Sequence, residues 1–130
     1  MLTAMQTLER LRSDSGLEAL CAQLGIDLLV VFGSAVREPE IANDVDLAYW
    51  GDGSSSVVDV INAFTDRFGE RLDILELRRA GTIARFEALG RGRILVERRP
   101  GLFADLQMAA FGEFEDTREL RRLALEMMSS

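Results

Sequence analysis

The sequence predicts an α/β (α+β) fold in which about four short strands are flanked by helices, and three observations carry that prediction. The runs Ile26–Phe32, Asp44–Trp50, Arg71–Leu77 and Arg93–Glu97 are short and dominated by Leu, Val and Ile, as strands are. Around them lie stretches whose apolar residues recur every three or four positions, the period of a helix with one face on a core. Gly, Ser and Asp collect at the joints, at Ser13–Gly16 and Gly51–Ser56, and Gly90-Arg91-Gly92 makes another turn.

Thr3–Arg12 opens the chain as an amphipathic helix, with Met5, Leu8 and Leu11 on one side and Thr3 placed to cap it. Ser13–Gly16 breaks the run, and Leu17–Leu24 forms a second helix closed by Gly25. The first strand, Ile26–Phe32, stops at the small pair Gly33-Ser34. Ala35–Asn43 is expected as a short helical turn and loop, because Pro39 limits anything longer. After the second strand, Asp44–Trp50, a Gly/Ser loop leads into a helix over Val57–Phe68. Its expected apolar stripe is Val57, Val60, Ile61, Phe64 and Phe68, and Gly69 ends it. Arg71–Leu77 alternates, with Leu72, Ile74 and Glu76 on one face and Asp73, Leu75 and Leu77 on the other. Gly81–Leu89 is a helix carrying Ile83, Phe86 and Leu89, and Arg93–Glu97 is the fourth strand. From about residue 101 the chain is helical, with Leu102, Phe103, Leu106 and Met108, then Leu120, Leu123, Leu125 and Met127. Gly112 is expected to bend or break this run, and Met127–Ser130 to fray. A Met- and Phe-rich tail reads either as core or as a partner surface.

The 130 residues make one domain, large enough for a hydrophobic core. Neither histidine nor lysine occurs; all 15 basic residues are Arg. That excludes a Ser-His-Asp triad, a Cys-His pair, a Schiff-base or P-loop lysine and a His-ligated zinc site. Any catalyst built from this chain relies on carboxylates, Arg, hydroxyls, backbone groups and a metal. The single cysteine, Cys21, cannot form an intrachain disulfide and reads as core beside Leu17, Leu20 and Leu24. Charged residues near the N-terminus interrupt any signal-peptide core, and no apolar run approaches the roughly 18 residues of a membrane span, so the chain reads as cytoplasmic.

The net charge of −7 is uneven: residues 1–77 hold 14 acids and 5 Arg, residues 78–99 hold 2 acids and 7 Arg, and residues 100–130 hold 6 acids and 3 Arg. An acidic protein is poorly suited to neutralising nucleic-acid phosphates, so direct nucleic-acid binding is not expected. The basic block 78–99 reads as a solvated face pairing with nearby acids, or as a face toward a nucleotide or an acidic partner.

Nine residues separate Ser34 from Asp44-Val45-Asp46. On a strand Asp44 and Asp46 point to one face, where two carboxylates repel without a counter-charge. A divalent metal supplies that charge. Hard oxygen ligands beside a Gly33-Ser34 turn that offers backbone N–H groups to phosphate suit a magnesium–nucleotide complex.

This pattern (a strand, Phe32-Gly33-Ser34, a spacer, then Asp44-Val45-Asp46-Leu47) resembles the signature of the nucleotidyltransferase superfamily that includes DNA polymerase beta. It is most similar to the minimal nucleotidyltransferase (MNT) proteins, including the adenylyltransferase antitoxins of the MntA type. The resemblance implies a nucleotidyltransferase fold with a small mixed sheet, and a third carboxylate, Asp73, on a strand beside the Asp-x-Asp strand. Ala35 stands where these proteins often have Arg, while Arg37 matches a second family Arg and is a candidate phosphate contact. The resemblance further implies that Asp44, Asp46 and Asp73 hold two Mg2+ ions (Mn2+ being an alternative), roughly 3.5–4 Å apart. Gly33 and Ser34 would then hold the triphosphate of ATP.

The implied reaction is transfer of AMP from ATP to a hydroxyl. The implied role is an antitoxin that AMPylates a tyrosine of a helical HEPN toxin partner. Two alternatives stand beside it: a small-molecule nucleotidyltransferase subunit of the aminoglycoside-modifying kind, and a non-catalytic antitoxin that blocks its partner by binding. A homo-oligomer is compatible with all three.

Overall fold

The computed structural model describes residues 2–129; of the side chains of residues 119 and 120 nothing is said. Leu120, expected on the stripe of the last helix, and Ser130, expected to fray, lie outside what is described.

The elements follow in the order α1 (Ala4–Ser13), α2 (Leu17–Leu24), β1 (Ile26–Phe32), α3 (Ser34–Arg37), β2 (Val45–Gly51), α4 (Val57–Phe68), β3 (Leu72–Glu76), α5 (Thr82–Gly90), β4 (Arg93–Glu97) and α6 (Leu102–Ser129). The four strands form one mixed sheet in the order β3-β2-β1-β4. β1 runs antiparallel to β2 and β4, whereas β2 and β3 are parallel and are joined through α4, the crossover that parallel neighbours require.

β1 is central, which explains its unbroken apolar run: a strand covered on both faces does not alternate. Leu29 and Val31 face one core with Val45, Leu47 and Tyr49, closed by α1, α2 and α4. Leu28 and Val30 face the other with Ala48 and Leu77, closed by α5 and α6. Leu95 is an extra residue on β4, where the pairing slips between Leu29–Val96 and Val30–Ile94.

Local chemistry fixes the helix ends. Thr3 and Gln6 make a reciprocal capping box on α1, and Ser56 caps α4 through the Asp59 amide at 3.1 Å. Gly25 closes α2 in the left-handed region at φ 71°. On α4 the buried stripe is Val60, Phe64 and Phe68; Ile61, expected on it, is exposed, because the sheet covers a narrower arc than the apolar residues span. Each fully buried Phe contributes roughly 1.5–3 kcal/mol relative to an exposed one. Gly112 does not break the last helix, which runs unbroken for 28 residues to Ser129. A mid-helix Gly costs only about 1 kcal/mol, which the packing of Leu106 and Ala110 against α5 offsets. Among the described residues no helix is long and apolar enough to cross a membrane.

Candidate functional site

The register of the sheet builds the site. Phe32, the last residue of β1, pairs with Asp46 on β2, so the turn after β1 lies beside the Asp46 side chain. Asp46 in turn pairs with Asp73 on β3, and in a parallel ladder residues in register face the same side. That side also carries Ala48 and Leu77, so both aspartates lie on the α5–α6 face, beyond the end of its apolar core. Asp44 falls one residue before β2 rather than on it, and is exposed; it keeps the parity of Asp46 but is not held by the ladder.

Gly33 is required by geometry. Its φ is 77°, in the region side-chain-bearing residues avoid, and a Cβ there would collide with the Asp46 carboxylate. The chain can therefore pass close to Asp46 only through glycine. It then winds into α3, where Val36 and Arg37 amides donate to the Gly33 carbonyl at 3.1 and 3.3 Å. The amides of Ser34 and Ala35, and the Ser34 hydroxyl, donate to no group among the described residues, as expected at the start of a helix. Ala35 points into the core, 1 % exposed, so that position offers no cation. Arg37 is exposed, also without a hydrogen bond or ion pair.

Asp46 is half-buried and its pKa is raised. Desolvation is the first cause; the charges of Asp73 and Asp44 add to it, Arg37 opposes it, and Glu87 adds again. None of the three aspartates accepts a hydrogen bond or forms an ion pair among the described residues. As the side chains stand, no three carboxylates or thiols among those residues are gathered closely enough to hold a metal ion. The donor set still fits a hard divalent cation: three uncommitted carboxylates on one side of the sheet, two of them exposed and free to turn toward the third.

The Gly33 turn and Asp46 open onto a cleft of about 640 Å³, which Arg37 also lines. Its far wall comes from the helices that cover this face: Phe86, Glu87 and Gly90 of α5, Arg91 after it, and Phe111 of α6. No motif marks these residues in the sequence. Phe86 reads as an ordinary core residue and Arg91 as one more member of a basic block; only the packing of α5 on β1 brings them to Asp46. The cleft is of a size that takes a small-molecule ligand.

The family model for polymerase beta nucleotidyltransferases matches residues 17–100. A chain of a toxin–antitoxin complex solved with AMP-PNP has a TM-score of 0.72 at 14 % identity, covering 86 % of this chain and 94 % of its own. A chain of the complex between a tri-AMPylated Shewanella oneidensis HEPN toxin and its MNT antitoxin gives 0.68 at 14 %, with 86 % and 92 % covered. A chain of the MntA–HepT toxin–antitoxin complex gives 0.67 at 13 %, again with 86 % and 92 % covered. At these identities the likeness is one of fold. No curated protein matches the chain.

Proposed function

The chain belongs to the polymerase beta nucleotidyltransferase family, and from that premise we propose that it transfers AMP from ATP to a tyrosine hydroxyl of a HEPN toxin, acting as its antitoxin. The observation that carries the proposal is the pairing, on one side of the sheet, of unpartnered Asp46 and Asp73 beside a turn that only glycine can make. The fold it shares with MNT antitoxins solved beside HEPN toxins supports the choice of partner, and the AMP-PNP complex supports the choice of nucleotide.

In this reading each residue has a distinct task. The open Ser34 and Ala35 amides and the Ser34 hydroxyl receive phosphate oxygens, with Arg37 as a charge-assisted contact. Asp44, Asp46 and Asp73 hold the metal, and the strand pairing on both sides of β2 keeps Asp46 in place while it does so. Magnesium, when bound, supplies activation of the attacking hydroxyl and neutralisation of the departing pyrophosphate, so a chain without histidine needs no imidazole base. Closure of the cleft by α5 and α6 excludes water from the α-phosphate, favouring transfer over hydrolysis.

The test mixes the chain, the HEPN candidate encoded beside it, magnesium and ATP labelled on the α-phosphate. Label moving covalently to a tyrosine of the partner is the expected result. Tight binding without label transfer would replace the proposal with a blocking antitoxin, and label on an added aminoglycoside would replace it with a small-molecule transferase.

A further inference from the structure

The Arg residues of segment 78–99 have different occupations. Arg78 donates to the Gly51 carbonyl at 2.6 Å and lies over the Trp50 ring, and Arg79 pairs with Glu76 at 3.4 Å. Arg85 ties down the β3–α5 connection through the carbonyls of Leu77 and Arg78, at 2.8 and 2.7 Å, and reaches Glu113 on α6. Arg98 donates to the Ile26 carbonyl at 3.1 Å and, with Arg99, flanks Asp27. These five hold the fold together. Arg93 lines a separate groove beside the α1–α2 turn.

Arg91 is the member of the block that lines the cleft. It is exposed and has no hydrogen bond or ion pair among the described residues. Glu87 stands four residues before it, the spacing at which Glu and Arg ordinarily pair along a helix, yet the two do not pair here. Both instead line the same space as Asp46, Ser34 and Arg37. The charged lining is thus two guanidiniums and two carboxylates, and a polyanion entering it can be received only by Arg37 and Arg91. Without Arg91 the lining is net negative toward the ligand it has to admit. A guanidinium also offers a planar fork that matches phosphate oxygens, which a lone amide does not.

We propose that Arg91 is a second phosphate-binding cation, gripping the triphosphate of the nucleotide from the α5 wall of the cleft, with Glu87 confining the polyphosphate to that end of the helix. The inference rests on the nucleotide reading above and adds to it a residue that no motif assigns. It also gives α5 a task beyond covering the sheet: its C-terminal end becomes half of the phosphate site.

The test titrates the full chain, in the presence of magnesium, with ATP and separately with AMP. Arg91→Ala should weaken ATP roughly tenfold or more and AMP much less, and the loss should shrink as salt is raised. Arg91→Lys should recover part of the ATP affinity, and Arg93→Ala, the same change in the same segment but outside the cleft, should leave it as in the wild type. An Arg91→Ala chain that binds ATP as tightly as the wild type removes this inference alone. An equal loss for ATP and AMP also removes it, since that is the mark of a distorted cleft rather than a missing phosphate contact. A wild-type chain that binds no ATP overturns both this inference and the function it rests on.

Discussion

At the α1–α2 turn, Asp14 receives two hydrogen bonds from the Arg67 guanidinium, at 3.0 and 2.7 Å, and a third from the Gly16 amide at 2.8 Å. Those bonds, Arg67's first, hold its carboxyl below the usual range. Beside the cleft, Asp46 receives none, and burial together with the charges of Asp73 and Asp44 pushes its carboxyl the other way. The first aspartate fastens the start of α2 to the end of α4. The second sits on a strand paired on both sides, facing acids instead of bases. The chain has the means to pair its acids: Asp27, Glu76 and Glu113 all have Arg partners, and Glu97 accepts the Phe103 amide at 2.9 Å. Leaving Asp44, Asp46 and Asp73 without partners destabilises the metal-free fold. On the function proposed here, the missing partner arrives with the nucleotide.

The contrast breaks most visibly at Asp46. Asp46→Asn should reduce AMP transfer by at least about a hundredfold, while raising the melting temperature measured without magnesium, because a desolvated and repelled charge is gone. Magnesium should raise the melting temperature of the wild type and leave that of the variant unchanged. A variant that melts below the wild type without magnesium would show that the Asp46 charge is not the strained group. Gly33→Ala acts on the same contact from the other side: a positive φ and a collision with the Asp46 carboxylate should cost about 1–3 kcal/mol in denaturant unfolding, with ATP binding weakened as well. Unchanged unfolding would mean that the turn relaxes without strain.

Acid separates the two aspartates by sign. Asp46 binds its proton more tightly in the native state than in the unfolded chain, so its ionisation lowers stability; that loss is complete above its native pKa and disappears as the pH falls toward the ordinary value of 3.8. Asp14 is the reverse: its contribution is complete above 3.8 and is lost as the pH falls through its lower native value. The stability advantage of Asp46→Asn should therefore shrink first on acidification, while the deficit of Asp14→Asn persists to lower pH. Melting curves across that range would reverse the assignment if the two differences faded in the opposite order.

Much of this was legible in the sequence, for reasons that also explain the gaps. The four strands and their joints follow from apolar runs and Gly/Ser clusters, which are local signals. Asp46 and Asp73 share a side because each stands at a fixed parity within its strand, also local; their register across the sheet is not, since it depends on which strands pair. Asp44 was expected on β2 and lies just before it, a difference of one residue in where the ladder begins. Gly112 was expected to interrupt α6, but propensity is a weak term beside tertiary packing. The α5 wall was not legible at all: nothing in the spelling of Phe86, Glu87 and Arg91 distinguishes a cleft lining from a core residue with a charged neighbour. Only the antiparallel return of β4 beside β1, which sets α5 against the Phe32–Gly33 end of β1, brings them to the site.

The smallest effect is the most discriminating control. Asp14→Asn removes a charge from an exposed pair, where solvent screens most of the interaction, and leaves an oxygen that still accepts from the Gly16 amide. The melting temperature should fall slightly, and the fall should diminish in high salt. AMP transfer and ATP affinity should stay at the wild-type level, because the pair lies on the α1–α2–α4 side of the sheet and the cleft on the other. If Asp14→Asn weakened ATP binding as Asp46→Asn does, the two aspartates would differ only in local packing, and the lack of partners at Asp46 would carry no functional meaning.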